Sequence, residues 1–237
     1  MTLSDDLSNE VSNILSQTWD IREGRAVPST DDVALAGGAV KLDATVLYAD
    51  LVQSSKLATE FQQRTAAKVI RSFLYCMCKL ITQYDGRITS FDGDRVMGIF
   101  LGGTKNTNAA TCALKMNYVT LKIIQPKVKD YFTSLRETDF SISHCVGIDT
   151  STVLAVRAGR RGSNDLVWIG RAPNLAAKLG DIRYKNYHSY ISEDVFSMIK
   201  DSAKYRSTDK KLMWEQQSIP YIDEKTTIYG STWYWET

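Results

Sequence analysis

Apolar residues recur along the chain in two rhythms, one with a helical period and one strand-like. Leu7, Val11, Ile14, Leu15 and Thr18 or Trp19 fall at helical spacing, which predicts an amphipathic helix over residues 4–18. Residues 23–38 hold Pro28, Ser29, Thr30 and a pair of glycines, and read as a linker. Residues 44–51 (ATVLYADL) form a β-branched, apolar run that predicts a buried central strand. Over residues 55–83 the apolar positions Ala66, Ile70, Phe73, Leu74, Met77, Leu80 and Ile81 return to helical spacing. Strand patterns at 86–91 and 95–101 flank Asp92-Gly93, a dipeptide favoured in hairpin turns. A helix is predicted over 106–124, strands over 140–148, 152–158 and 165–169, and a helix over 173–182 with Pro173 in its first turn. A short strand at 188–191, a helix at 193–199 and weaker strands ending in the aromatic run 227–235 complete the chain.

The order β-α-β-β-α-β predicts an α+β protein with a ferredoxin-like core, an antiparallel sheet with helices on one face, followed by C-terminal strands. Residues 1–40 are expected as an N-terminal helix and linker, and residues 41–237 as the main domain. The helix at 4–18 is suited either to packing on that domain or to assembly.

With 237 residues, 43% hydrophobic and 24% charged, the chain can bury a substantial core. A formal net charge of +2 argues against nucleic acid as a partner, since that requires a clustered basic field. No apolar run approaches a membrane span, and the N-terminus lacks the order of a signal peptide, so a cytoplasmic location is expected. The four cysteines lie within apolar helical or strand-like runs and read as buried free thiols. With only His144 and His188 present, a His/Cys zinc site is not expected.

Two carboxylates carry the candidate chemistry. Asp50 is the one acid within the apolar run 46–52, where an unpaired charge is costly to bury. Asp94 follows the hairpin dipeptide at the head of another apolar strand. In a ferredoxin-like core the first strand lies beside this hairpin, so both carboxylates can meet at one sheet edge. With a backbone carbonyl such as that of Leu51, they suit Mg²⁺ or Mn²⁺ completed by substrate phosphates. Plainer roles fit as well, Asp94 as a turn residue and Asp50 as a helix N-cap. Spacing leaves the choice open.

Four segments in order narrow it. Val46-Leu-Tyr-Ala-Asp50-Leu resembles the first metal-binding strand of class III adenylyl and guanylyl cyclases, and Gly93-Asp94-Arg-Val-Met-Gly-Ile-Phe100 resembles their second metal motif. Cys145-Val-Gly-Ile-Asp149-Thr is similar to the Gly-Ile strand that follows. Trp168-Ile-Gly-Arg-Ala-Pro-Asn174-Leu-Ala-Ala-Lys178-Leu is similar to the family helix bearing an asparagine and an arginine four residues apart. The resemblance spans residues 44–180 and is poor beyond about residue 200. It implies that Asp50 and Asp94 hold two divalent metal ions, Mn²⁺ or Mg²⁺, over a nucleoside triphosphate. The ribose 3′-hydroxyl then attacks the α-phosphate, giving a 3′,5′-cyclic nucleotide and pyrophosphate. Asn174 is placed to orient the ribose. Lys178 stands where the family has arginine, supplying the charge but not the planar fork. The family site lies between two catalytic domains, which implies a head-to-tail homodimer with shared sites.

The base-reading positions depart from the family. Ser90 stands where a lysine or glutamate would read a purine, and the second such position falls at Val167 or Trp168. Tyr48 replaces a phenylalanine bordering the base pocket, and Arg95 is an unusual charge directly after the metal aspartate. This combination resembles the pyrimidine cyclases of bacterial Pycsar antiphage systems, whose cyclic UMP or cyclic CMP acts on a separate effector. UTP is the expected substrate, with CTP the alternative and Tyr48 as a plain core aromatic an equal reading. Arg157, Arg160 and Arg161 are expected in solvent or at a dimer contact, Lys225 is a candidate phosphate ligand, and Trp233 and Trp235 are expected to pack on the core. A purine cyclase, a catalytically silent nucleotide-binding module and a palm-like two-metal phosphotransferase remain rival readings.

Overall fold

A computed structural model describes residues 2–183 and 186–237. The chain forms α1 (Leu3–Ser16), β1 (Asp20–Glu23), β2 (Gly38–Val52), α2 (Ser54–Glu60), α3 (Gln63–Gln83), β3 (Arg87–Asp92), β4 (Arg95–Phe100), α4 (Lys105–Val119), α5 (Gln125–Tyr131), α6 (Thr133–Arg136), β5 (Ser143–Arg160), β6 (Ser163–Ile169), α7 (Arg171–Gly180), β7 (Ser189–Ser192), α8 (Glu193–Met198), α9 (Asp201–Lys204), β8 (Glu215–Tyr221) and β9 (Glu224–Ser231). The strands make one sheet in the order β3-β4-β2-β5-β7-β9-β8, with β1 alongside β2 and β6 alongside β5. The four strands β3-β4-β2-β5, with α3 and α4 between them in sequence, are the expected ferredoxin-like core, antiparallel throughout. Among the described residues no helix is long and apolar enough to cross a membrane.

β2 is long and central, paired with β4 on one side and β5 on the other. Both of its faces are covered, which explains a near-continuous apolar run instead of alternation. Leu47, Ala49 and Leu51 face α3 and α4 and join Phe73, Met77, Ile81, Ala113 and Met116 in the main core. Val46 and Tyr48 face the other way, onto Ala172 and Ala176 of α7. The sheet is therefore covered on both sides, where the sequence pattern placed helices on one. Periodicity identifies the apolar face of a helix but not the sheet face that receives it.

Glycine decides how closely α7 approaches. A Cβ on Gly147 of β5 would stand 2.1 Å from the Ala176 carbonyl oxygen and 2.3 Å from the Gly180 nitrogen. Backbone thus packs on backbone at this point. The start of α7 is pinned to the same strand by Arg171, which donates to both carboxylate oxygens of fully buried Asp149 at 3.0 and 3.1 Å and to the Thr150 carbonyl at 2.9 Å.

Several boundaries move. Residues 20–41, read mostly as linker, supply β1 and the first turn-side residues of β2, and β1 pairs in parallel with residues 38–41. The expected helix 55–83 is broken at Phe61-Gln62 into α2 and α3. The expected helix 106–124 runs on, through a wide turn at Thr120–Ile124, into α5. The two strands expected at 140–148 and 152–158 are one 18-residue strand, β5. Strand β9 ends at Ser231, yet Trp233 and Trp235 still pack against the main core. Helix α1 buries none of its residues.

The Gly147 contact yields a test. Gly147→Ala should force α7 off the sheet and cost about 1–3 kcal/mol of stability, seen as a fall of about 2–10 °C in the thermal midpoint. An unchanged midpoint would contradict this packing.

Candidate active site

Asp50 and Arg95 are paired partners across β2 and β4, so their side chains lie on the same face, the one that carries Tyr48 and α7. The hairpin from β3 to β4 turns at Gly93-Asp94 rather than at Asp92-Gly93. Gly93 has φ of +60°, and Asp92 and Arg95 are the closing pair. A glycine at the first central position is the demand of a type II′ turn, which matches the twist of the strands. The turn brings Asp94 beside the end of β2.

Asp50 is 6% exposed. Its Oδ2 accepts from Arg95 Nη2 at 3.4 Å and, more closely, from Arg183 Nη2. Burial pushes the Asp50 carboxyl above the ordinary carboxylate range; the Arg95 and Arg183 guanidiniums pull it down, and the neighbouring Asp94 charge pushes it up again. That last effect places the two carboxylates within electrostatic reach of each other. Asp94 Oδ2 is itself buried without a hydrogen-bond partner. An unpartnered buried carboxylate oxygen next to a second buried carboxylate is an unsatisfied anionic site.

Among the described residues no group of three or more His, Cys, Asp or Glu is arranged to hold a metal. The two aspartates are thus half of a site, and a hard cation held here must complete its shell with oxygens from water or phosphate. Leu51 lies one residue beyond the last β2–β4 pair, with its side chain in the core against α3 and α4. Only its backbone carbonyl is left to contribute.

The guanidinium of Arg95 stands 5.9 Å from the ring centre of Tyr48 and also pairs with Asp181. Tyr48, half-buried, has its hydroxyl pKa raised, chiefly by burial. Ser90 pairs with Met97 on the edge hairpin. On β6, Val167 points outward and Trp168 packs against the cluster that contains Tyr48, its indole N–H buried without a partner. Asn174 and Lys178 occupy the exposed side of α7. Asn174 donates to the Gly170 carbonyl at 3.1 Å, and the Lys178 ammonium stands 5.6 Å from the Tyr221 ring. Neither hydrogen-bonds or ion-pairs with Asp50 or Asp94. One chain therefore presents the carboxylate pair and the α7 polar pair as separate surfaces.

Sequence reasoning missed Arg183 and Asp181. Both lie just after α7, where periodicity ends, and Arg183 meets Asp50 only through tertiary packing. Other candidates stand apart from the carboxylates. Arg157 donates to Asn164 at 2.6 Å and pairs with Asp31 at 3.4 Å. Arg160 and Arg161 are exposed on the β5–β6 hairpin. Lys225 lies on β9, at the β8 edge of the sheet. His144 is buried, stacked 5.5 Å from His188, and burial holds its pKa down to about 3. Burial also raises the Cys145 thiol to about 12, so it stays protonated and packs.

No protein-family model matches the chain. It is 43% identical to a uridylate cyclase of Rhodovulum sp. (strain MB263), over 99% of this chain and 98% of that protein. It is 40% identical to a uridylate cyclase of Burkholderia cepacia, over 99% of each. Among solved structures, the guanylyl cyclase Cya2 matches with a TM-score of 0.65 at 17% identity, over 83% of this chain and 94% of that one. The adenylyl cyclase CyaB from P. aeruginosa matches with a TM-score of 0.62 at 21% identity, over 82% and 95%. At these identities the solved structures speak to the fold alone.

If Asp50 is a metal ligand, protons compete with the metal for it. Its raised pKa means that Mn²⁺ affinity should begin to fall at a pH above that at which an ordinary aspartate (~3.9) titrates. Arg95→Gln should move that loss to higher pH, since the guanidinium holds the carboxyl down. Calorimetric Mn²⁺ titrations across a pH series read this directly, and an affinity that holds constant down to the range of an ordinary aspartate would contradict the assignment.

Proposed function

The chain belongs to the uridylate cyclase family, and on that premise we propose that it converts UTP to 3′,5′-cyclic UMP and pyrophosphate at a site built on Asp50 and Asp94. The observation that carries this reading is the unpartnered, buried Asp94 Oδ2 next to a buried Asp50 whose negative charge is disfavoured by its surroundings. Such a pair suits Mn²⁺ or Mg²⁺, with the Leu51 carbonyl as a third oxygen donor. Bound divalent metals would supply a lowered pKa at the ribose 3′-hydroxyl and neutralisation of triphosphate charge.

The remaining roles fall to the chain's own side chains. Tyr48 offers a hydroxyl to the edge of a pyrimidine and narrows the pocket against a purine. Arg95, held between Asp50 and Asp181 beside the Tyr48 ring, presents donors to the base or the phosphates. Ser90, Val167 and Trp168 shape the base pocket, and the Trp168 indole N–H is a donor in want of an acceptor. A site that depends on placed hydrogen bonds rejects the wrong base because the mismatched groups stay unpaired. Asn174 orients the ribose, and Lys178 offsets charge on the α-phosphate as a point charge.

Asn174 and Lys178 stand on the exposed side of α7, away from the carboxylates of their own chain. They therefore complete the site of a second copy, in a head-to-tail homodimer with two equivalent sites. Helix α1 is an exposed appendage to the catalytic domain, whose sheet already includes β1 and begins β2 at Gly38. The product acts on a separate cyclic-nucleotide-responsive effector in the cytoplasm, as part of bacterial defence against phage.

Incubation with ATP, GTP, UTP and CTP in turn with Mn²⁺, followed by chromatography and mass spectrometry, should give cyclic UMP as the main product. No cyclic product from any of them would sink the enzymatic reading, and cyclic CMP as the main product would overturn the choice of base. Asp94→Ala should lower turnover at least about a hundredfold while leaving the thermal midpoint within a few degrees. Asp50→Ala and Asn174→Ala proteins, each inactive alone, should regain activity on mixing, since the heterodimer keeps one intact site. No recovery would contradict the shared site.

A further inference from the structure

Two guanidiniums and three carboxylates, Arg95 and Arg183 with Asp50, Asp94 and Asp181, meet at the end of β2. Both arginines donate to one oxygen of Asp50, Oδ2. A divalent ion that takes this oxygen competes with both donors for its lone pairs and repels their positive charge. The two arginines then differ in what remains to them. Arg95 keeps its pairing with Asp181. Arg183 stands 3.9 Å from that carboxylate, an ion pair too long for a hydrogen bond, and is held by it more weakly than Arg95.

Arg183 is built to make the change without moving far. Its Nη1 donates to the carbonyls of Gly180 at 2.6 Å and Ile182 at 3.2 Å, at the C-terminal end of α7, where carbonyls are otherwise unpaired. Only Nη2 reaches Asp50. The side chain is 36% exposed, so it borders solvent. Displacement of Nη2 leaves the guanidinium tethered at the rim of the carboxylate site with a free donor edge.

From this arrangement we infer that Arg183 is an exchangeable counter-ion. It neutralises Asp50 while the site holds no metal, and passes to the triphosphate when metal and nucleotide enter together. The guanidinium fork matches phosphate oxygens, and a triphosphate arriving with the metal is the anion that replaces Asp50. The inference rests on the metal reading of Asp50 and Asp94. Its consequence is ordered charge exchange: metal alone must compete with Arg183 for Asp50, whereas metal with nucleotide need not. Arg183 therefore weakens binding of the bare ion and strengthens binding of the nucleotide complex.

The test measures binding, without turnover. Mn²⁺ is titrated into wild-type, Arg183→Ala and Arg183→Lys protein, alone and with 3′-deoxy-UTP, which lacks the attacking hydroxyl. Without nucleotide, Arg183→Ala should bind Mn²⁺ about tenfold tighter than wild type, and with Mn²⁺ present it should bind 3′-deoxy-UTP about tenfold or more weakly, the scale of one charged hydrogen bond. Arg183→Lys should lie between the two in both measurements. Wild-type affinities in Arg183→Ala, or both affinities weakened together, would overturn the exchange while leaving the carboxylate site standing. If wild-type protein with 3′-deoxy-UTP binds no Mn²⁺ that Asp94→Asn removes, the metal reading fails and the exchange fails with it.

Discussion

A carboxylate buried on the face of a central strand must be matched by positive charge, and the region around Asp50 is organised by that requirement. Its neighbours Tyr48 and Val46 are apolar or nearly so, and α7 closes over the same face. Burial alone disfavours the ion, and Asp94 adds to the cost. Arg95 from the paired strand and Arg183 from beyond α7 offset it in part. Breaking such a set by removing one partner is costly, whereas exchanging one cation for another is not. On the proposed reading, a site held in this state takes up divalent ions and the anion that accompanies them.

The rest of the fold brings these groups to one edge. Asp50 comes from the first core strand, Arg95 from its hairpin neighbour and Asp94 from the turn that Gly93 permits. Gly147 removes the one Cβ that would hold α7 away, and the Arg171–Asp149 pair fixes where the helix starts. Once α7 is docked through Ala172 and Ala176, Asn174 and Lys178 necessarily face outward. The same packing that delivers Arg183 to Asp50 therefore turns Asn174 and Lys178 outward.

Much of this was legible in the sequence where a local rule applied. The apolar run of β2 announced a buried strand, and a single aspartate within it announced a charge in need of a partner. Asn174 and Lys178, four apart on an otherwise apolar helix, were bound to share a face. The hairpin was recognisable from its glycine, but its register was off by one residue, because Asp-Gly and Gly-Asp both fit a two-residue turn. What escaped was non-local. Thr150, Ser151 and Thr152 interrupt the apolar pattern of β5 yet suit an extended strand, so one strand read as two. Arg183 and Asp181 sit in a connection with no period, and their partners Asp50 and Arg95 lie 133 and 86 residues away. Ion pairs of that kind are set by how α7 packs, which no local pattern encodes.

What occupies the space between Asp50 and Asp94 decides whether the two carboxylates are a metal site. Anomalous diffraction at the manganese edge, from crystals grown with Mn²⁺ and 3′-deoxy-UTP, locates the ions without reference to turnover. The expected map has manganese peaks beside Asp50 and Asp94, with Arg183 turned from Asp50 onto the triphosphate. Manganese bound elsewhere, or a nucleotide seated with Arg183 still on Asp50 and no metal at Asp94, would contradict it.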